Sequence, residues 1–233
     1  QYELSYTNIL NMLDLAGVPL FSKDRTGLAP LVCVGGPCAC NPEPIADFCD
    51  LVFLGDGEES TNQVLDLLKE CKHAGKSKQY FLSKAKDIRG VYVPSFYVDS
   101  YNNDGTLKEL KPINGAPEKV KKAVVSDMNS VYYPKSFVVP FIEIVHDRAV
   151  EEIFRGCIRG CRFCQAGFIY RPIREKSVET INEQAKALIK STGYDEVSLC
   201  SLSTSDHSRV NEMLTSLIDW TVKEKINLSL PSL

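Results

Sequence analysis

Three cysteines fall within eight residues, in the stretch Arg155-Gly156-Cys157-Ile158-Arg159-Gly160-Cys161-Arg162-Phe163-Cys164-Gln165-Ala166-Gly167. This Cys-x3-Cys-x2-Cys spacing constrains the chain more than any other feature. Three thiols this close, in a loop rich in Gly and Arg, cannot all be core residues. They suit an object small enough to be held at three corners, such as a cubane iron–sulfur cluster. Gly156 and Gly160 grant the unusual backbone angles that a tight loop of this kind needs, and low bulk lets backbone N–H groups approach the sulfurs. Electron-transfer clusters use four cysteines. Three leave one iron open to bind a molecule, by the logic that keeps a catalytic zinc site open. The spacing leaves other readings in play. One is a zinc ion held with His146 or Cys200, and another is an electron-transfer cluster completed by a distant cysteine.

Composition narrows the setting. The chain has nine cysteines, an odd number, whereas a secreted disulfide framework is usually even and loop-rich. Metal or redox chemistry in the cytoplasm is the better reading. Lys plus Arg total 27 against 30 for Asp plus Glu, a net charge of −3, so charge does not point to nucleic acid. There is no run of roughly 18 apolar residues to cross a membrane. The first residues, Gln1-Tyr2-Glu3, lack the layout of a signal peptide and do not begin with Met.

Hydrophobic patterning predicts an α/β chain in three parts. In residues 1–75, short apolar runs alternate with helical stretches. Strands are expected at Gln1–Ser5, Leu31–Val34 and Asp50–Leu54. Helices are expected at Asn8–Ala16 and Thr61–Lys72, the latter with Val64, Leu65, Leu67 and Leu68 on its apolar side. Residues 76–137, broken by Pro94, Pro112, Pro117 and Pro134, read as a linker. It carries a short helix at Ser77–Lys86 and a hairpin of Phe96–Tyr101 and Thr106–Lys111 about Asn102-Asn103-Asp104-Gly105. Residues 138–233 resume the βα rhythm. Strands are expected at Phe141–Val145, Val150–Phe154, Glu196–Leu202 and from Asn227. Between them come a helix capped by Ser177 and ended before Gly193, and a second at Ser208–Lys225.

The cysteine spacing, the aromatic Phe163 before the third cysteine and the strand before the loop together resemble the signature of the radical S-adenosylmethionine (radical SAM) superfamily. The resemblance implies a [4Fe-4S] cluster on Cys157, Cys161 and Cys164, with S-adenosylmethionine (SAM) on the open iron. It implies reductive cleavage of SAM to a 5′-deoxyadenosyl radical, fed by an electron donor such as flavodoxin or ferredoxin. Phe163 would pack near the adenine. The family's glycine-rich segment for the SAM amino group follows its second strand. Here that place holds Cys200-Ser201-Leu202-Ser203-Thr204-Ser205-Asp206, so Ser201 and Ser203 are the candidates, with a helix-capping loop the plainer reading. Residues 138–233 would then be the first part of a partial (β/α) barrel.

Upstream, Val34-Gly35-Gly36-Pro37, Asn41-Pro42-Glu43-Pro44 and Gly55-Asp56-Gly57-Glu58-Glu59 resemble the cobalamin-binding-like domain that precedes many radical SAM cores. The implied fold is a partial Rossmann-like sheet. Gly35 and Gly36 sit where an open α/β sheet takes ligands, and a simple strand-to-helix turn explains them equally well. The Asp-x-His-x-x-Gly motif that ligates cobalt is absent, which leaves cobalamin itself open. Cys33, Cys38 and Cys40 read as strand and turn positions. The expected function is radical SAM catalysis on an unidentified substrate, with RNA or protein modification and cofactor or lipid tailoring as the classes considered. The alternative is a non-catalytic zinc- or iron–sulfur-binding module. No catalytic residue is legible. The chain also reads as a fragment cut at both ends and inactive by itself.

Overall fold

The computed structural model describes residues 2–142 and 144–232. The chain forms two compact units, Gln1–Val125 and Ser126–Leu233.

In the first unit, α1 (Tyr6–Leu15) precedes a small sheet of β1 (Cys33–Val34), β2 (Leu51–Phe53) and β3 (Val91–Tyr92). Strands β1 and β2 are parallel, with Cys33 opposite Leu51, and β3 runs antiparallel to β2, with Val52 opposite Tyr92. Helices α2 (Ser60–His73) and α3 (Lys78–Ala85) lie between β2 and β3 in sequence. Val64 and Cys71 of α2, seven residues apart and so on one face, share a core with Phe81, Leu82 and Ala85 of α3 and with Leu51. Leu65, expected on that face, is exposed. The unit is tied by Asp50, which accepts from Ser22 Oγ, the Arg25 guanidinium and the Val32 amide, and pairs with Lys78. Burial would raise the Asp50 pKa, but the hydrogen bonds from Lys78, Ser22 and Val32 hold it below the ordinary value. The hairpin of β4 (Tyr97–Tyr101) and β5 (Leu107–Pro112) follows, its turn held by Asp104 accepting from the Thr106 amide.

The span 76–137, expected as a linker, therefore supplies α3, β3 and much of the first core. Val91, Val93 and Phe96 are all but fully buried, so compactness carries the first unit to Val125. The expected strand at Gln1–Ser5 is not one. Glu3–Ser5 is a single 3-10 turn leading into α1, and Gln1 lies outside the described residues.

In the second unit, β6 (Ala149–Glu152) leads into a two-stranded ribbon of β7 (Phe154–Arg155) and β8 (Arg174–Glu175), with α4 (Gln165–Ile169) between them. Then come α5 (Val178–Thr192), β9 (Glu196–Cys200), α6 (Val210–Glu224) and β10 (Asn227–Ser229). The sheet order is β10-β9-β6, all parallel. Ser177 caps α5 by accepting from the Thr180 amide, and Gly193 ends it in the left-handed conformation, as the sequence indicates. Val178, Ile181, Ala185 and Leu188 of α5 and Met213 and Leu217 of α6 are buried. Those on the sheet side pack on Val197 and Leu199, and each one larger than alanine contributes about 1.5–3 kcal/mol.

The strand expected at Phe141–Val145 is absent among the described residues. Phe141, Ile142, Ile144 and Val145 are exposed and unpaired, and Glu143 lies outside the described residues. β-Branched and aromatic residues favour extended backbone, but a strand exists only by pairing.

Candidate metal centre

The cysteine loop is presented by the β7–β8 ribbon. Phe154 pairs with Glu175 and Arg155 with Arg174, so the loop leaves and returns at one fixed base. Arg155 stiffens the entry by a two-point contact to Glu152, Nε–Oε1 2.8 Å and Nη2–Oε2 3.0 Å. Gly156 has φ +95°, and a Cβ there would lie 2.8 Å from the Pro172 carbonyl oxygen, so only glycine lets the loop start against the 172–173 backbone. Gly160, at φ +65°, turns the loop between the first two cysteines.

Cys157 and Cys164 are half-buried and Cys161 is exposed. Two backbone amides already address sulfurs. The Arg159 N–H donates to Cys157 Sγ and the Gly167 N–H to Cys164 Sγ, each at 3.4 Å, the latter making Cys164 the N-cap of α4. Among the described residues, however, no group of three or more His, Cys, Asp or Glu side chains is arranged to hold a metal ion. The loop brings the three thiols into one short segment without converging them on a point. The donor set still fits an iron–sulfur cluster with one open iron, since it has three soft sulfur ligands and amides aimed at two of them. The other zinc ligands considered do not join the group. His146 Nδ1 is taken by Arg148 Nη2 at 2.7 Å. Cys200 lies opposite Glu152 on the sheet, its thiol pKa raised by burial and by Glu152. Phe163 is 92% exposed, at the loop surface.

The loop after β9 lies against the cysteine loop. Arg159 donates to Asp206 through both Nε (2.6 Å) and Nη2. Ser203, buried, donates through Oγ to Asp206 Oδ2 at 2.7 Å. Ser201 Oγ meets Thr204 Oγ1 at 3.0 Å. The bonds from Arg159 and Ser203 lower the Asp206 pKa. Sequence reasoning singled out the two serines and missed Asp206 and Arg159 as a pair. Each lies in a noted segment, yet 47 residues separate them, and no pattern in one sequence links them.

Sheet alternation separates two polar groups. Glu152, Ser198, Cys200 and Ser229 share one face. Glu151 is on the other, fully buried under α5, bonded to Lys176 Nζ at 2.8 Å with Oε2 unpartnered. Burial pushes its pKa up to about 7, against the pull of Lys176.

In the first unit, Gly35 and Gly36 follow β1. Gly36, at φ +101°, starts the 3-10 turn Pro37–Cys40, which gives it a structural reason to be glycine. A cavity of about 670 Å³ in that unit is bordered by Arg25, Glu43, Lys78 and Tyr97 and includes neither glycine.

Comparison with known proteins gives a consistent outcome. Residues 1–94 match the family described as radical SAM proteins, N-terminal, and residues 152–228 match the radical SAM superfamily. An uncharacterised protein of Methanocaldococcus jannaschii, MJ0966, is 28% identical over 225 residues, covering 95% of this chain and 41% of its own length. The chain thus spans about two fifths of that relative. Two structures of the radical S-adenosylmethionine methyltransferase TsrM from Kitasatospora setae share the fold. One holds tryptophan substrate and a SAM analogue, at TM-score 0.55 and 12% identity. It covers 85% of this chain and 36% of TsrM. The other holds cobalamin and a [4Fe-4S] cluster, at TM-score 0.53 and 11% identity, covering 85% and 37%. With its cysteine loop inside the second matched region and its upstream unit largely inside the first, the chain belongs to the radical SAM superfamily.

Proposed function

We propose that this protein is a radical SAM enzyme whose Cys157, Cys161 and Cys164 hold a [4Fe-4S] cluster. The observation that carries the reading is the three-thiol loop on its ribbon, with two amides aimed at sulfur, inside the region matched to the superfamily. When bound and reduced, such a cluster supplies the one-electron cleavage of SAM to methionine and a 5′-deoxyadenosyl radical. The chain's own residues do the holding. The cysteines ligate three irons and leave the fourth open. The Arg159 and Gly167 amides stabilise negative charge on sulfur. Phe163 offers a surface ring for stacking on adenine. Ser201 and Ser203 are the hydroxyls for the SAM amino group, with Ser203 already committed to Asp206. Gly35 and Gly36 are the place for a cobalamin in the upstream unit, the ligand held by one TsrM structure. The substrate class is RNA or protein, the electron donor a flavodoxin or ferredoxin, and the compartment the cytoplasm.

The test is anaerobic reconstitution with iron and sulfide. Wild-type protein is expected to bind both and to show cluster absorbance, and each single Cys→Ala variant at 157, 161 or 164 to lose them. 5′-Deoxyadenosine release on reduction with SAM is assayed at the protein's natural length. Zinc bound in place of iron would instead make this a non-catalytic metal-binding module.

A further inference from the structure

We propose that Arg159 and Asp206 form a clasp that positions the cysteine loop for its cluster, with Asp206 as the fixed half. The inference rests on the reading of Cys157, Cys161 and Cys164 as cluster ligands.

The two halves differ in rigidity. The Asp206 side chain is only 9% exposed and that of Arg159 is 58% exposed. Asp206 is set by Ser203 Oγ, and its loop is pinned from two directions. The Thr204 amide and Oγ1 donate to the carbonyls of Ser232 and Pro231, both at 2.8 Å. On the other side, the Ser208 amide donates to Glu175 Oε1 at 2.8 Å, and His207 Nε2 meets the Lys176 carbonyl at 3.1 Å. Glu175 is in β8, the strand that carries the exit of the cysteine loop. The carboxylate is thus a fixed point in the frame of the loop's base.

Arg159 is the movable half, midway between Cys157 and Cys161. Its guanidinium grips the carboxylate at two points, which fixes direction as well as distance. The backbone of the same residue addresses Cys157 Sγ. Fixing the Arg159 side chain therefore fixes the amide aimed at the sulfur, and it sets a positive charge beside the first two cysteines. Both are levers on cluster retention and potential. With its guanidinium half open to solvent, the ion pair adds little to folding stability, so a positioning role and a stability role separate experimentally.

The experiment compares wild type, Arg159→Lys, Asp206→Asn and the exchanged pair Arg159→Asp/Asp206→Arg after anaerobic reconstitution. The readouts are iron loss to a chelator, midpoint potential by electron paramagnetic resonance, and melting temperature. Lysine keeps the charge without the two-point grip, and asparagine keeps the shape without the charge. Both single variants are expected to take up iron, to release it about 10-fold faster, to shift the potential, and to melt as wild type does. The exchanged pair restores the contact but puts a negative charge beside the cysteines, so it is expected to regain part of the retention while its potential stays shifted. Single variants with wild-type retention and potential overturn the clasp while leaving the cluster reading intact. So does faster loss that tracks a lowered melting temperature and is not regained by the exchange. Wild-type protein that binds no iron overturns both.

Discussion

At the residue scale, the cysteine loop depends on one glycine and offers one aromatic ring. Gly156→Ala would carry a Cβ 2.8 Å from the Pro172 carbonyl at φ +95°, a strain of about 1–3 kcal/mol. The expected result is a lowered melting temperature together with poorer iron uptake. Gly193→Ala is the control, since its positive φ meets open space and should leave iron uptake unchanged. Phe163 is exposed and touches no core cluster. Phe163→Ala is therefore expected to keep fold and iron while weakening SAM binding by about 1–3 kcal/mol, read by equilibrium dialysis. Unchanged affinity would remove Phe163 from the site. Both residues stand out in the sequence, Gly156 by adjoining a cysteine and Phe163 by preceding one. The clasp does not, because an Arg and an Asp acquire a joint role only when the fold makes them neighbours.

At the element scale, β6 and the residue that follows β8 share a buried charge pair. Glu151 faces Lys176, with Glu152 and Tyr133 as its other ionisable neighbours. Burial raises its pKa from the ordinary 4.5 to about 7, so the folded protein keeps a proton that the unfolded chain releases. The stability contributed is fully present below pH 4.5 and is lost as pH rises through about 7. Glu151→Gln, which removes the titration, is expected to flatten the fall in urea midpoint across that window. An identical slope in the variant would show that Glu151 is not the titrating group. The caps of α5 were legible because Ser177 and Gly193 act through local backbone geometry. The burial of Glu151 was not, because a carboxylate in a strand gives no sign of which face is covered.

At the scale of the whole molecule, the chain forms two compact units with separate cores, and the second contains, ahead of β6, a stretch with little regular structure. From Lys135 to Ile142 there is no helix or strand, and Phe137, Val138, Phe141 and Ile142 are exposed. Limited proteolysis is expected to cut there first, after Lys135 with trypsin or Phe137 and Phe141 with chymotrypsin. Two resistant fragments should result, one running through Val125 and one beginning before β6. An early cut within 78–96 would contradict the packing of α3 and β3 into the first core.

The amino-acid sequence by itself determined the features that act over short range. These are the Cys-x3-Cys-x2-Cys spacing, the glycine after Arg155, the caps of α5, the turn at Asp104-Gly105 and the apolar periods of the main helices. Each depends on residues within a few positions of one another, and local sterics and hydrogen bonding suffice. Tertiary structure decided the rest. Residues 76–125 belong to a core because Phe81, Val91 and Phe96 find Leu51 and Val64. Phe141–Val145 had the composition of a strand, but among the described residues no strand pairing forms there. Asp206 became part of the candidate site because β9 delivers its loop to Arg159. Burial, pairing and long-range charge contacts depend on which distant segments meet, and that information exists only once the chain is folded.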